Sequence, residues 1–330
     1  MAMLDIVIPH RKEKWADGRK MFEMLKLQRG IADGEFRVIL VQDGDDGELD
    51  TGRISKVYPF VKQIITLPVA QGVSAARNAG LDAAEAEWIM FCDFDDCLYS
   101  VDSMFRILQS LREAGERADL VWSDIWIEMR KKGGGYAKTL KSWNTVFVHG
   151  KVYRRSFLAE RGIRFDEAMD YSEDAMFNAL VAMEILPGRI AKMPETVYMW
   201  CYREESLSNY AGGDWKRARS LFLKRMRLPE EYDKRGMGYE AKTAAARALM
   251  DYYWESEGGG KPKDMNRKEW FSMPLAILTA WPGCIRDITP ADRKELYRIT
   301  REEAKNKGQI REGMRSMQEW MDWIGALKKA

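Results

Sequence analysis

At 330 residues the chain exceeds one compact core and points to two lobes, or to one large α/β domain with an appendage. Hydrophobic residues at 46% and charged residues at 32%, mixed in sign, exclude a disordered chain. The net charge of +2 divides unevenly: residues 1–210 carry 28 Lys+Arg against 33 Asp+Glu, and residues 211–330 carry 25 against 18. An acidic front half suits a site for a divalent cation. A basic remainder suits an anionic partner, whether membrane surface, phosphorylated acceptor or nucleic acid, or is simply a solvated helical surface.

In chain order, short β-branched or aromatic runs at residues 4–8, 36–41, 61–66 and 88–92 predict strands, and the segments 15–29, 49–57 and 73–86 between them predict helices. This βαβα rhythm predicts a mostly parallel sheet with helices on both faces, whose ligands bind beyond the carboxyl ends of the strands. Three polar clusters stand at those ends: Pro9-His10-Arg11, Asp43-Gly44-Asp45-Asp46 and Asp93-Phe94-Asp95-Asp96. Further on, a helix is predicted at 103–114, a strand at 120–127 and a loop at Gly133-Gly134-Gly135. Strands follow at 144–149 and 196–202, flanking a helix at 173–186. Beyond 211 the pattern is helical only, at 215–227, 238–257, 290–306 and 310–327, with Gly258-Gly259-Gly260 as a break and no internal repeat.

Cys92, Cys97, Cys201 and Cys284 form no CxxC pair, and with only His10 and His149 besides, no zinc site is expected. Thiols in a reducing cytosol are the simplest reading. The N-terminus runs straight into a strand pattern, so no signal peptide is expected. The most apolar later stretch, 270–285, is too short and too broken by Pro274 and Pro282 to span a bilayer. These features predict a cytoplasmic protein, or one peripheral to a membrane, without a transmembrane segment.

Several carboxylates at one strand end repel one another unless a cation compensates them, and hard oxygen ligands indicate Mg²⁺ or Mn²⁺. An acidic surface turn is the plainer reading of Asp93 to Asp96. The run Phe91-Cys92-Asp93-Phe94-Asp95-Asp96-Cys97-Leu98 also looks like the nucleophile loop of haloacid-dehalogenase-like phosphatases, which would make Asp93 the attacking group. That family starts its core domain at this strand and has Thr or Val where Cys97 stands, whereas three βα units precede it here.

A second resemblance rests on four segments in order. Ile6-Val7-Ile8-Pro9, Ile39-Leu40-Val41-Gln42-Asp43-Gly44-Asp45-Asp46, Gln71-Gly72-Val73-Ser74-Ala75-Ala76-Arg77-Asn78-Ala79-Gly80 and the strand from Trp88 to Asp96 resemble family 2 glycosyltransferases. The resemblance implies the GT-A fold, an α/β, Rossmann-like, mostly parallel sheet flanked by helices. It implies a nucleotide-sugar-binding half at 1–100 and an acceptor-binding half at 101–210, and it does not reach the basic helical C-terminal region at 211–330. It also implies a nucleotide-sugar donor, most often UDP-linked, with Mn²⁺ or Mg²⁺ as cofactor. Pro9, His10 and Asp43 would then serve the donor, Asp43 at the base. Gln42 and Gln71 depart from the family's usual Asp and Asn. Arg77 would lie near the donor, its fork suited to pyrophosphate or to orienting an Asp. Asp93 would contact the ribose side and the metal and Asp95 the metal, with Asp96 in support. Asn78 and Gly80 read equally well as helix packing.

Ser172-Glu173-Asp174 opens a predicted helix and by itself suits capping. The resemblance makes Asp174 the general base, with Glu173 beside it, and a single base opposite the leaving group gives inversion. Val148-His149-Gly150-Lys151-Val152-Tyr153-Arg154-Arg155 resembles the family's acceptor-side segment. Lys151 would approach the donor phosphates, and His149 would contact acceptor or phosphate, or act as a structural hydrogen-bonder. Tyr198 to Arg203, followed by Ser206, resembles the strand that closes this domain. Trp200 and Tyr202 would form a sugar platform or pack the sheet, with Arg203 on the acceptor side.

In the tail, Lys216, Arg217, Arg219, Lys224, Arg225 and Arg227 crowd one predicted helix. Met317, Trp320, Met321, Ile324 and Leu327 share an apolar face before Lys328-Lys329, expected to dock on the catalytic domain or to lie at a membrane interface. The function implied is an inverting, metal-dependent hexosyl transfer to a hydroxyl of a glycan, or of modified DNA or another polyanion. The alternatives are the phosphatase and a non-catalytic GT-A-like binding protein.

Overall fold

The computed structural model describes all residues except 1, 46, 48, 132, 143, 170, 204–214, 259–264 and 328–330. Asp46, Ser206, Gly259, Gly260 and Lys328-Lys329 therefore lie outside the described residues. The chain divides into two compact units, Met1–Tyr210 and Ala211–Ala330.

The first unit opens with β1 (Leu4–His10), α1 (Trp15–Lys26), β2 (Phe36–Gln42), α2 (Thr51–Val57), β3 (Val61–Thr66), α3 (Val73–Ala83) and β4 (Trp88–Phe91). After β5 (Cys97–Leu98) and α4 (Ser103–Ala114) come β6 (Leu120–Trp122), β7 (Ile125–Arg130), β8 (Tyr136–Lys141) and β9 (Lys151–Arg154). The unit continues with α5 (Arg155–Glu160), α6 (Glu173–Glu184), β10 (Ile190–Lys192) and β11 (Tyr198–Trp200). Seven strands form one sheet in the order β10-β6-β9-β4-β1-β2-β3, parallel except for β9, which runs against both neighbours. The remaining four form a second sheet, β5-β11-β7-β8.

Strand β1 is buried on both faces, as a central parallel strand must be. Leu4, Ile6 and Ile8 pack with Met21, Phe22 and Leu25 of α1, while Val7 joins Ile39, Val41 and Ala76 of α3 on the other side. The period of two sorts these side chains. Helix α3 lies so close that a Cβ on Gly80 would sit 2.3 Å from Val7 Cγ1. Gly80→Ala should therefore cost about 1–3 kcal/mol through overpacking, read as a lower urea midpoint at unchanged slope. Asn78 is also structural: its amide accepts from the Phe165 N–H and donates to the Phe165 carbonyl, both at 3.0 Å.

The predicted strand at 120–127 is two strands in different sheets: the Ser123 N–H still donates to the Gly150 carbonyl in the β6–β9 register, and the chain changes sheet between Ser123 and Ile125. Residues 144–149 are not a strand. The Asn144 side chain accepts from the N–H groups of Val146 and Phe147, which closes a turn, and extended pairing starts only at Lys151. Strand β8 escaped the hydrophobic pattern because most of its side chains are exposed.

The second unit contains α7 (Trp215–Lys234), α8 (Gly238–Glu257), α9 (Arg267–Ala280), α10 (Cys284–Asp287), α11 (Pro290–Asn306) and α12 (Met317–Leu327). Helix α9 runs through Pro274 and was not predicted. The apolar face of α12 serves this unit's own core, with Trp320 and Ile324 fully buried and Trp320 against Tyr253, which corrects the expectation of docking on the catalytic domain. Arg225, one of the crowded basic residues, turns inward, where its guanidinium donates to both Glu255 oxygens at 2.8 and 2.9 Å over the Tyr252 ring. No helix among the described residues is long and apolar enough to cross a membrane.

Candidate active site

The carboxyl ends of the parallel strands converge as the topology requires. β1 ends at His10, β2 leads into Asp43, and β4 leads into Asp93 to Asp96. The antiparallel strand β9 adds residues from its amino end. Met90 pairs with Val152, so the residues just before β9 fall opposite those just after β4, and His149 Nε2 lies 3.1 Å from Asp93 Oδ2. His149 stacks on Tyr198 with centroids 5.0 Å apart.

The residues expected to serve the donor are already engaged within the chain. Pro9 lies opposite Val41 in the ladder. His10 Nε2 is 2.8 Å from the Glu13 carbonyl, and its ring meets Phe94 edge-on. The buried Asp43 carboxylate accepts the N–H groups of Gln71 and Gly72 at 2.5 and 2.8 Å, fixing the entry to α3. Gly72 takes φ +104° there, a conformation that favours glycine.

The centre is Arg77. Its buried guanidinium donates to Asp174 at 2.6 Å, to Glu173 at 2.9 Å and to Asp93 at 2.9 Å, and lies over the Phe165 ring. One side chain of α3 thus ties the acidic loop after β4 to the first turn of α6. The other Asp174 oxygen accepts the Val148 N–H at 3.2 Å. Just ahead, Ser172 holds a left-handed φ of +62°, a conformation that costs a non-glycine residue about 1–2 kcal/mol.

This crowding reshapes the acid–base chemistry. Burial opposes ionisation of Asp93, but His149 and Arg77 outweigh it and hold the carboxyl well below the usual carboxylate range. Burial likewise opposes the His149 imidazolium, yet Asp93 and then Asp96 lift it to about 9. Burial, reinforced by the Asp174 charge, pushes Glu173 up to about 7. Burial lowers Lys151 to about 8 against the pull of Asp174, and its ammonium donates to the Phe147 carbonyl. Asp96 is raised by burial and accepts from the Tyr198 hydroxyl at 2.6 Å and the Cys201 N–H at 2.8 Å.

The raised His149 fixes the sign of a pH effect. Its ordinary value is 6.5 and its folded value about 9, so the stability it contributes is complete below 6.5 and lost as pH rises through 9. Glu173 acts in the same direction between 4.5 and 7. In metal-free buffer, thermal unfolding of the wild type should move to lower temperature from pH 6.5 to 9, and His149→Gln should flatten that window.

Asp93, Asp96 and His149 each offer a ligand atom within 4.8 Å of the others. Two carboxylates and, once deprotonated, an imidazole form a donor set that suits a divalent cation. Of the two residues expected on the metal, Asp93 lies in this cluster. Asp95 is instead paired with Arg203 Nε at 2.6 Å, and burial and Asp93 raise its carboxyl. Arg203 therefore faces the acidic loop. Tyr202 approaches Tyr136 at 6.0 Å, and Trp200 lies opposite Ile127 in the second sheet. The sequence reading missed Tyr198. Its hydroxyl bridges Asp96 and the Asp93 N–H (3.1 Å), but within a strand pattern it looks like core.

This arrangement of sheet and strand-end acids is the GT-A fold. A crystal structure of S. aureus TarS 1-349 in complex with UDP-GlcNAc covers 93% of this chain and 92% of that one, with a TM-score of 0.64 at 16% identity. Residues 5–162 match the model of the family described as Glycosyl transferase family 2, and this domain belongs to that family. The phosphatase alternative falls with that assignment. The PGL/p-HBAD biosynthesis glycosyltransferase of Mycobacterium bovis is 36% identical over 93 residues, 28% of this chain and 36% of that protein, so the match spans little more than a third of the relative. The poly(ribitol-phosphate) beta-N-acetylglucosaminyltransferase TarP of Staphylococcus aureus is 22% identical over 193 residues, 54% of this chain and 56% of that protein.

Proposed function

We propose that the chain transfers a sugar, with inversion, from a UDP-linked donor to an acceptor hydroxyl in the cytoplasm. The observation that carries this reading is the Arg77 clamp, which holds the acidic loop and the Glu173-Asp174 pair at one short, fixed separation. The family match and the UDP-GlcNAc bound by S. aureus TarS support the donor class.

In this reading residues 1–100 serve the donor, with Pro9, His10, Asp43 and Lys151 around it, and residues 101–210 serve the acceptor, with Trp200, Tyr202 and Arg203 along its path. Asp174 takes the proton of the acceptor hydroxyl as its oxygen bonds to the anomeric carbon, while the bond to the diphosphate breaks on the opposite face. A bound Mn²⁺ or Mg²⁺ supplies charge neutralisation for the departing nucleotide. Asp93, with Asp96, His149 and Asp95 around it, would hold the ion. The net positive charge of residues 211–330 and the poly(ribitol-phosphate) in the name of TarP favour a polyol phosphate or similar polyanion over a neutral glycan.

A thermal-shift screen of nucleotide sugars with and without Mn²⁺ tests this. A ligand at 100 times its Kd stabilises the native state by about 2.7 kcal/mol, so one UDP-sugar should raise the melting temperature selectively, and Asp93→Ala should remove the Mn²⁺-dependent part. Absence of any shift across all nucleotide sugars would sink the reading.

A further inference from the structure

We propose that Cys97 and Cys201 form an oxidative modification site, a reversible disulfide that closes beside the acidic loop when a peroxide is the oxidant. Its effect on ligand binding rests on the donor site proposed above, but its formation does not. The two thiols are free, and their sulfurs lie 3.5 Å apart. They sit on neighbouring antiparallel chains, Cys97 opening β5 opposite Met199 of β11 and Cys201 following β11 directly. A disulfide needs about 2.05 Å between sulfurs, so the pair must close by about 1.5 Å, which lies within the reach of side-chain rotation. The residues are buried, 7% and 5% exposed, so the oxidant the proposal names is a small peroxide and not a bulky disulfide.

The chemistry balances. The Cys97 thiolate attacks one peroxide oxygen, the O–O bond breaks, and hydroxide leaves to take up a proton as water. The Cys201 sulfur then bonds to the Cys97 sulfur, and the sulfenic oxygen departs as a second water. Two thiols are oxidised and one peroxide is reduced.

The position gives the bond leverage. Cys97 follows Asp96 in sequence, the Cys201 N–H donates to Asp96, and Arg203, two residues on, pairs with Asp95. The disulfide ties the acidic loop to the strand end that carries Arg203 and holds that guanidinium over Asp95, in competition with a cation.

The test uses the full chain treated with hydrogen peroxide, alkylated and digested without reductant. Mass spectrometry should find the Cys97 and Cys201 peptides joined, lighter than their sum by two hydrogens, separable by dithiothreitol, and absent in both Cys97→Ser and Cys201→Ser. In thermal-shift titrations with Mn²⁺, peroxide should weaken the UDP half-saturation of wild type by about tenfold or more and leave that of either serine variant unchanged. Sulfinic acid at either cysteine without a cross-link overturns the site. A cross-link with an unaltered UDP titration overturns its control of binding. A reduced chain that does not bind UDP refutes the donor assignment, while the cross-link result still decides the modification.

Discussion

Asp174→Asn should bind the UDP-sugar as the wild type does and transfer sugar about 10²–10⁴-fold more slowly, the usual contribution of a positioned general base. The amide keeps one oxygen, enough for Arg77 or for the Val148 N–H but not for both, and has no lone pair basic enough to take the acceptor proton. The substitution also acts on its neighbour. Glu173 stands at about 7 because of burial and, next, the Asp174 charge, so removing that charge lowers Glu173 and leaves it more fully ionised. A residual rate in Asp174→Asn that vanishes in the double variant with Glu173→Gln would identify Glu173 as the substitute base. Single-turnover transfer beside a donor thermal shift separates chemistry from binding. Full transfer by Asp174→Asn, with loss in Glu173→Gln, would move the base to Glu173.

Arg77→Met should be the most destabilising change in the first unit. It leaves Asp93, Glu173 and Asp174 facing one another without their shared cation, and breaking a buried pair on one side costs about 3–5 kcal/mol. Arg77→Lys restores the charge but not the fork, so it should recover only part of that loss and give a looser site. The deficit should be smaller at about pH 4 than at about pH 8, because the abandoned carboxyls can then take up protons. Urea unfolding at both values measures this. An Arg77→Met protein as stable as the wild type would mean that the guanidinium does not hold the three acids together.

The front half was legible because the central strands are mostly apolar, Asp5 and Arg37 aside, and end in polar clusters. The carboxylates were visible as types at positions, but their connection was not. Arg77 reaches Glu173 and Asp174 across nearly a hundred residues, and no local spacing encodes that contact. His149 was assigned to a strand end because Phe147 and Val148 lengthen the apolar run. Its actual role at Asp93 comes from the reversed direction of β9, which periodicity does not report. In the tail, basic residues suggested a charged surface, and the burial of Arg225 against Glu255 could not be read from charge alone.

The reversed strand also sets where the gene tolerates length changes. The triple-glycine tip at Gly133, Gly134 and Gly135 has open space around it and closes a hairpin at the margin of the second sheet, so extra residues there would extend a loop. One residue added between His149 and Lys151 would do something else. Either His149 leaves Asp93, or Val152 and Tyr153 exchange faces, one entering the core beside Ile125 and the other the core beside Phe177. Spacers, tags and family-specific insertions belong at the first place, and deletions scanned across the second should inactivate the protein one codon at a time.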